Sequence, residues 1–179
     1  MGHNQADVDA FGSMIAAYHM ADLVDKEAFL VIDEDKLDRT VGLLFNQVKQ
    51  ELKEMYEQTI TSEKALEMID QQSLLIVVDA QSPKVVMSEA LLNKTEQLIV
   101  IDHHRVSEAG FNANFTYIEP YASSTIELMM ELLNFYQTEK EVEFETLEAN
   151  IMYAGLLVDT NNFTYRTSSR TFEVASRLA

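Results

Sequence analysis

Leu74-Leu75-Ile76-Val77-Val78-Asp79 and Leu98-Ile99-Val100-Ile101-Asp102-His103-His104 are two apolar, β-branched runs, each ending on Asp or His. Unbroken runs of this kind mark strands buried on both faces, which places them in a parallel sheet covered by helices. Outward from this pair, Phe29–Ile32 and Phe115–Ile118 are expected as strands, the latter stopped by Pro120. Helical patterning covers residues 9–21 and residues 36–71, the latter read as two helices broken near Thr59–Ser62. A helix is expected around Ser88–Lys94, and another behind a Ser123 or Ser124 cap, with Ile126, Met129, Met130 and Leu133 on one face. Residues 146–158 and Thr167–Ala179, with Phe172, Val174 and Leu178, complete the pattern. This alternation predicts one α/β domain over residues 1–179, a three-layer sandwich with a mainly parallel central sheet flanked by helices.

Composition sets further bounds. The 179 residues are 47% hydrophobic, ample for one core. A net charge of −17 argues against a general nucleic-acid-binding surface, because a polyanion is repelled except at a local cationic site such as bound divalent ions. The absence of cysteine excludes disulfides and thiolate metal sites and suits a cytosolic protein. No apolar run is long enough to span a membrane, so this chain is expected to make no membrane contact of its own. The nine methionines read as core filler, and His19 as a core or surface residue.

Four separated segments deliver ligand-type side chains where elements stop: His3, Asp7 and Asp9; Asp79; Asp102-His103-His104; and Asp159-Thr160. Parallel sheets collect ligands at the carboxyl ends of their strands. Singly, each has a plainer reading: Asp7 and Asp9 as helix caps, Asp79 as a turn residue, Asp159 as an aspartate after a helix. Adjacent histidines behind an aspartate are seldom needed for packing, and the conjunction points to a centre for two divalent ions. Four aspartates among these ligands, Asp7, Asp9, Asp79 and Asp159, would balance the charge of such a pair. Arg105 beside the centre suits a phosphate or a surface ion pair. Ser123 and Ser124 begin a helix and suit either an anion or simple capping.

At these residues the sequence resembles the DHH phosphoesterase family: His3-x-x-x-Asp7-x-Asp9, Asp79, Asp102-His103-His104 and Gly155-Leu156-Leu157-Val158-Asp159-Thr160 stand in the family's order. Glu119–Thr125, Ile101–Arg105, Arg166–Phe172 and the helical stretch between Ile32 and Leu74 resemble the GdpP-type cyclic-di-AMP phosphodiesterases of Gram-positive bacteria. The resemblance implies a hydrolase that opens cyclic di-AMP to linear 5′-pApA through a two-metal-activated hydroxide, with Mn2+ as the metal. It implies one ion on His3, Asp7 and Asp79 and the other on Asp9, Asp79, His103 and Asp159, Asp79 bridging. His104 would contact the substrate phosphate or protonate the departing oxygen. Asp102 would orient an imidazole, and Arg105, Ser123 and Ser124 would bind substrate. Arg166 and Arg170 are read as supports for the loop carrying Asp159.

The same resemblance implies a membrane-anchored, homodimeric parent with a DHHA1 domain after the DHH domain. His3 is expected to follow a buried strand and the last helix runs uncapped to Ala179, so a fragment lacking its first strand and DHHA1 is expected. Rival readings are a nano-RNase or 3′,5′-bisphosphate phosphatase on this fold, and a catalytically incompetent nucleotide- or metal-binding module.

Overall fold

The computed structural model describes residues 1–105, 110–136 and 142–179. Helix α1 (Val8–Leu23) is followed by β1 (Leu30–Val31), α2 (Arg39–Glu51), α3 (Lys53–Glu57), β2 (Thr59–Ile60) and α4 (Ser62–Met68). Then come β3 (Leu74–Val78), β4 (Gln97–Asp102), β5 (Phe115–Ile118), α5 (Thr125–Tyr136), α6 (Thr146–Asp159) and α7 (Ser169–Leu178). All the strand pairs are parallel: β1 with β2, and β3-β4-β5 in that order. Leu75 faces Leu98 across the β3–β4 pair and Ile101 faces Tyr117 across β4–β5.

Strand alternation sorts the side chains into two cores, as the pleat requires. Leu75, Val77, Leu98 and Val100 pack with Ala65 and Leu91 on one face. Val78 and Ile101, with Ile76 and Ile99 beside them, join the larger core of α1, α5, α6 and α7 on the other. Parallel strands between helices on both faces are the expected α/β architecture.

Local details depart from the sequence reading. The break expected near Thr59–Ser62 is strand β2, and residues 36–71 hold three α-helices because Leu52 (φ −114°, ψ 65°) separates α2 from α3. Thr61 then caps α4 by accepting from the Lys64 amide. The segment expected as a helix around Ser88–Lys94 is a 3₁₀ turn at Glu89–Asn93. Phe172 is 53% exposed, since the buried stripe of α7 is Thr171, Val174, Ala175 and Leu178 at helical spacing. Among the described residues no helix is long and apolar enough to cross a membrane.

Two features bring distant segments to the sheet's carboxyl end. Met1 lies along β3, its amino nitrogen donating to the Ile76 carbonyl and its own carbonyl accepting from the Val78 amide. Gly2 and His3 then pair with the Val86–Met87 segment, which delivers His3 beside the end of β3. Helix α1, buried all round from Val8 to Ala16, crosses α6 closely at Gly12 and Gly155. A methyl group on Gly155 would lie 2.9 Å from the Val8 carbonyl oxygen and 3.0 Å from the Asp9 Cα.

Gly155→Ala is therefore expected to push α6 away from the start of α1, destabilising the fold by about 1–3 kcal/mol. Asp9 and Asp159, one on each helix, should separate, so divalent-ion affinity should fall with stability. Calorimetry of the variant with and without Mn2+ measures both. An unchanged melting temperature would show that this crossing is looser than it stands here.

Candidate metal centre

Each ligand-type side chain is placed by a specific backbone device. Asp7 caps α1, its Oδ1 accepting from the Ala10 amide, while its Oδ2 lies 3.7 Å from His3 Nε2. Capping and convergence thus coexist at Asp7. Asp9 sits in the first turn of α1 yet reaches across to α5, accepting from the Thr125 amide at 2.8 Å and the Ile126 amide at 3.0 Å. Asp79 ends β3 in a left-handed conformation (φ 54°), one that Asp tolerates better than most residues, and its amide extends the ladder to Ile101. Asp159 ends α6, and left-handed Asn161, Asn162 and Phe163 turn the chain away behind it.

The side chains meet in overlapping groups. His3, Asp7 and Asp79 form one, Asp9, His103 and Asp159 a second, and Asp79, His103 and His104 a third, with the ligand atoms of each within 4.8 Å of one another. His103 Nε2 stands 3.1 Å from Asp159 Oδ2, 3.7 Å from Asp9 Oδ2 and 3.7 Å from Asp79 Oδ1. His3 Nε2 stands 3.6 Å from the other oxygen, Asp79 Oδ2. Asp79 therefore faces an imidazole with each carboxylate oxygen. Asp102 Oδ1 is 2.8 Å from His104 Nδ1, so this carboxylate orients His104 and not His103. The buried His103 Nδ1 has no hydrogen-bond partner.

The electrostatics of this arrangement are strained. Burial, with the Asp159 charge adding to it, pushes the Asp9 carboxyl up to about 7, against the pull of His103 and the α5 amides. Burial and the charges of Asp9, Asp7 and Asp102 hold Asp79 well above the carboxylate range, with the Thr125 hydroxyl acting the other way. Burial alone would lower the His103 imidazole, but Asp159 and Asp9 outweigh it and raise it. His3 is raised in the same way: burial lowers it, while Asp7 and the Asn4 carbonyl prevail. Clustered carboxylates that resist ionising, interleaved with imidazoles, are a donor set that divalent cations complement. Imidazoles favour a transition metal, carboxylates a harder ion such as Mn2+, and this set has both. His3, Asp7, Asp9, Asp79, His103 and Asp159 thus fall in groups that could hold divalent metal, and Asp79 lies against the imidazoles of both His3 and His103.

Other expected contacts lie elsewhere. Ser123 is buried, its hydroxyl donating to Glu127 Oε2, and the Ser124 hydroxyl accepts from the Glu127 amide as a helix cap. Both residues are buried with their hydroxyls on Glu127, and the Thr125 and Ile126 amides at the start of α5 are given to Asp9. Arg170 does not support the Asp159 loop; it pairs with Glu119 at 2.8 Å and Glu131 at 2.6 Å and lies 3.6 Å from Glu127. His19 is away from the centre, 3.0 Å from Glu148. Thr125, missed in the sequence, touches both central carboxylates: its amide holds Asp9 and its hydroxyl donates to Asp79 Oδ1 at 2.9 Å. Its signal was the threonine closing Glu119–Thr125, where it counted only toward the resemblance.

A parallel α/β sheet with a carboxylate–imidazole cluster at its carboxyl end is an arrangement suited to holding divalent metal. The profile of the DHH family's N-terminal domain matches residues 1–156, and the chain belongs to that family. It is 46% identical, over 99% of its length, to a membrane protein–large ribosomal subunit bL9 fusion protein of onion yellows phytoplasma. It is 40% identical over 99% of its length to the cyclic-di-AMP phosphodiesterase GdpP of Bacillus subtilis. The chain spans 21% and 27% of these two relatives. An exopolyphosphatase-related protein from Bacteroides fragilis shares the fold, with a TM-score of 0.69 at 22% identity over 99% of this chain and 50% of that one.

Two outcomes follow from the charges. Unfolded carboxylates titrate near ~4, so the raised values of Asp9 and Asp79 mean that the metal-free fold loses stability as pH rises from about 4 to about 7. His3 and His103, raised above 6.5, add to the loss as they deprotonate at higher pH. Mn2+ at about 100 times its dissociation constant should restore roughly 2.7 kcal/mol. Thermal melts across that pH range, with and without Mn2+, measure both; a flat profile contradicts the arrangement. Second, Asp79→Asn keeps a residue suited to the left-handed backbone while removing one repelling charge. It should raise the metal-free melting temperature and abolish stabilisation by Mn2+.

Proposed function

We propose that the chain is the catalytic DHH portion of a metal-dependent phosphodiesterase that opens cyclic di-AMP to linear 5′-pApA. The observation that carries this reading is the pair of imidazoles set on opposite oxygens of buried Asp79, inside a ring of Asp7, Asp9 and Asp159. The cyclic-di-AMP substrate is supported by the 40% identity to the Bacillus subtilis phosphodiesterase across almost the whole chain.

His3, Asp7 and Asp79 would hold one divalent ion, and Asp9, Asp79, His103 and Asp159 the other. Bound ions would neutralise the carboxylates, stabilise the charge of an in-line displacement and make a proton easier to remove from water. Mn2+ is the metal proposed. Thr125 and the amides of α5 orient Asp79 and Asp9, so that their oxygens need not reorganise when charge develops. His104 is half-exposed, and Asp102 on its Nδ1 leaves Nε2 to face the scissile phosphate or give a proton to the departing 3′-oxygen. Arg105, next in the chain, supplies a guanidinium for a phosphate of the substrate.

Incubating the protein with Mn2+ and cyclic di-AMP should yield 5′-pApA, with short oligoribonucleotides cut more slowly. His104→Ala should lower kcat roughly 10²–10⁴-fold while Mn2+ still binds, separating proton transfer from metal holding. Faster cleavage of oligoribonucleotides would move the assignment to a nano-RNase; full activity of His104→Ala would remove that residue from the chemistry.

A further inference from the structure

Next to the carboxylate cluster lies a cleft of about 530 Å³ lined by Arg105, Pro120, Tyr121, Arg166, Thr167 and Ser168. In a chain of net charge −17, the described residues of its lining include two arginines and no carboxylate. Among the described residues neither arginine has an ion-pair partner; Arg166 sits 5.3 Å from the ring of Tyr165. Two guanidiniums sharing one opening repel each other, and an anion between them relieves that repulsion.

Each wall is tied to the proposed metal centre. Arg105 follows His104 directly. The Glu119 amide donates to the Asp102 carbonyl, holding Pro120 and Tyr121 against the end of β4. The Tyr165 amide donates to the Thr160 carbonyl, so the turn behind Asp159 fixes where Arg166 stands. Arg166 is itself left-handed, at φ 51°. Tyr121 is 91% exposed and leaves its ring free on the rim. A flat aromatic face beside paired guanidiniums suits a base together with a phosphate.

The geometry points to this cleft as a second phosphate subsite: with one phosphate of a dinucleotide at the carboxylate cluster, the other lies between Arg105 and Arg166 and its nucleoside lies against Tyr121. This rests on the phosphodiesterase reading and adds to it a reason for preferring dinucleotides over mononucleotides. It also gives Arg166 a part in binding that support of the Asp159 loop would not.

The probes are 5′-pApA and AMP, each titrated calorimetrically in the presence of Mn2+. Arg166→Asn removes the charge while keeping a residue that accepts the left-handed backbone. It should weaken 5′-pApA roughly tenfold, the usual scale for one charge-assisted hydrogen bond, and change AMP binding less than about twofold. Tyr121→Ala, at an exposed site that cannot disturb the core, should also weaken 5′-pApA more than AMP. Equal losses for both ligands, no loss for either, or a parent chain that binds 5′-pApA no tighter than AMP would overturn the subsite. A chain that binds 5′-pApA through Arg166 but leaves cyclic di-AMP intact would sink the proposed reaction and keep the subsite. Turnover of cyclic di-AMP with unaltered binding by Arg166→Asn would do the reverse.

Discussion

Asp9 and Asp79 are both buried and both repelled by neighbouring carboxylates, and the N-terminus of α5 is what makes their proximity tolerable. The Thr125 and Ile126 amides, unpaired in any helix's first turn, find their acceptors in Asp9, and the Thr125 hydroxyl finds Asp79. One helix end thus does for two carboxylates what a capping side chain usually does for the helix. The exchange has a cost, since neither acid ionises easily without a cation between them. A site built this way is stable when filled and under electrostatic stress when empty.

The position of α5 then becomes a structural requirement, and α7 meets it. Glu127, buried in the first turn of α5, accepts from the hydroxyls of Ser123 and Thr171 at 2.6 Å each. Arg170 spans Glu119 and Glu131 beside it. Arg170, Glu119 and Glu131 keep part of their hydration, so the desolvation falls on Glu127, and the hydroxyls of Ser123 and of Thr171 on α7 satisfy it. Thr171 and Arg170 therefore bond to Glu119, Glu127 and Glu131 and not to the carboxylate–imidazole cluster itself, yet the place of Thr125 depends on them.

Much of this could be read from the chain. The apolar runs at 74–78 and 98–101 announced the parallel strands, because burial on both faces leaves no room for polar alternation. Asp79, His103 and Asp159 stood out because they stand at the ends of elements, and the structure gathers them with His3, Asp7 and Asp9 from the start of α1. What stayed hidden depends on direction. Whether a hydroxyl such as that of Ser123 faces substrate or core is set by the turn before α5, and no local pattern encodes it. Asp102 stands nearer His103 than His104 in sequence, and only the end of β4 decides that it holds His104. The length of β1 likewise depends on its partner β2.

The close crossing of α1 and α6 at Gly12 and Gly155 also orders events in time. Helix α1 is made before α6, so the apolar face of Val8–Ala16 waits, uncovered, while the segments between them are made. Contacts so far apart in sequence close slowly, because the loop entropy is spent before any burial is gained. During that interval the chain is open to chaperones and to misassociation through α1. A cation meeting the nascent chain would find His3, Asp7 and Asp9 without Asp159. The whole cluster therefore assembles only after α6 has been made, which makes it a late product of folding and not its seed.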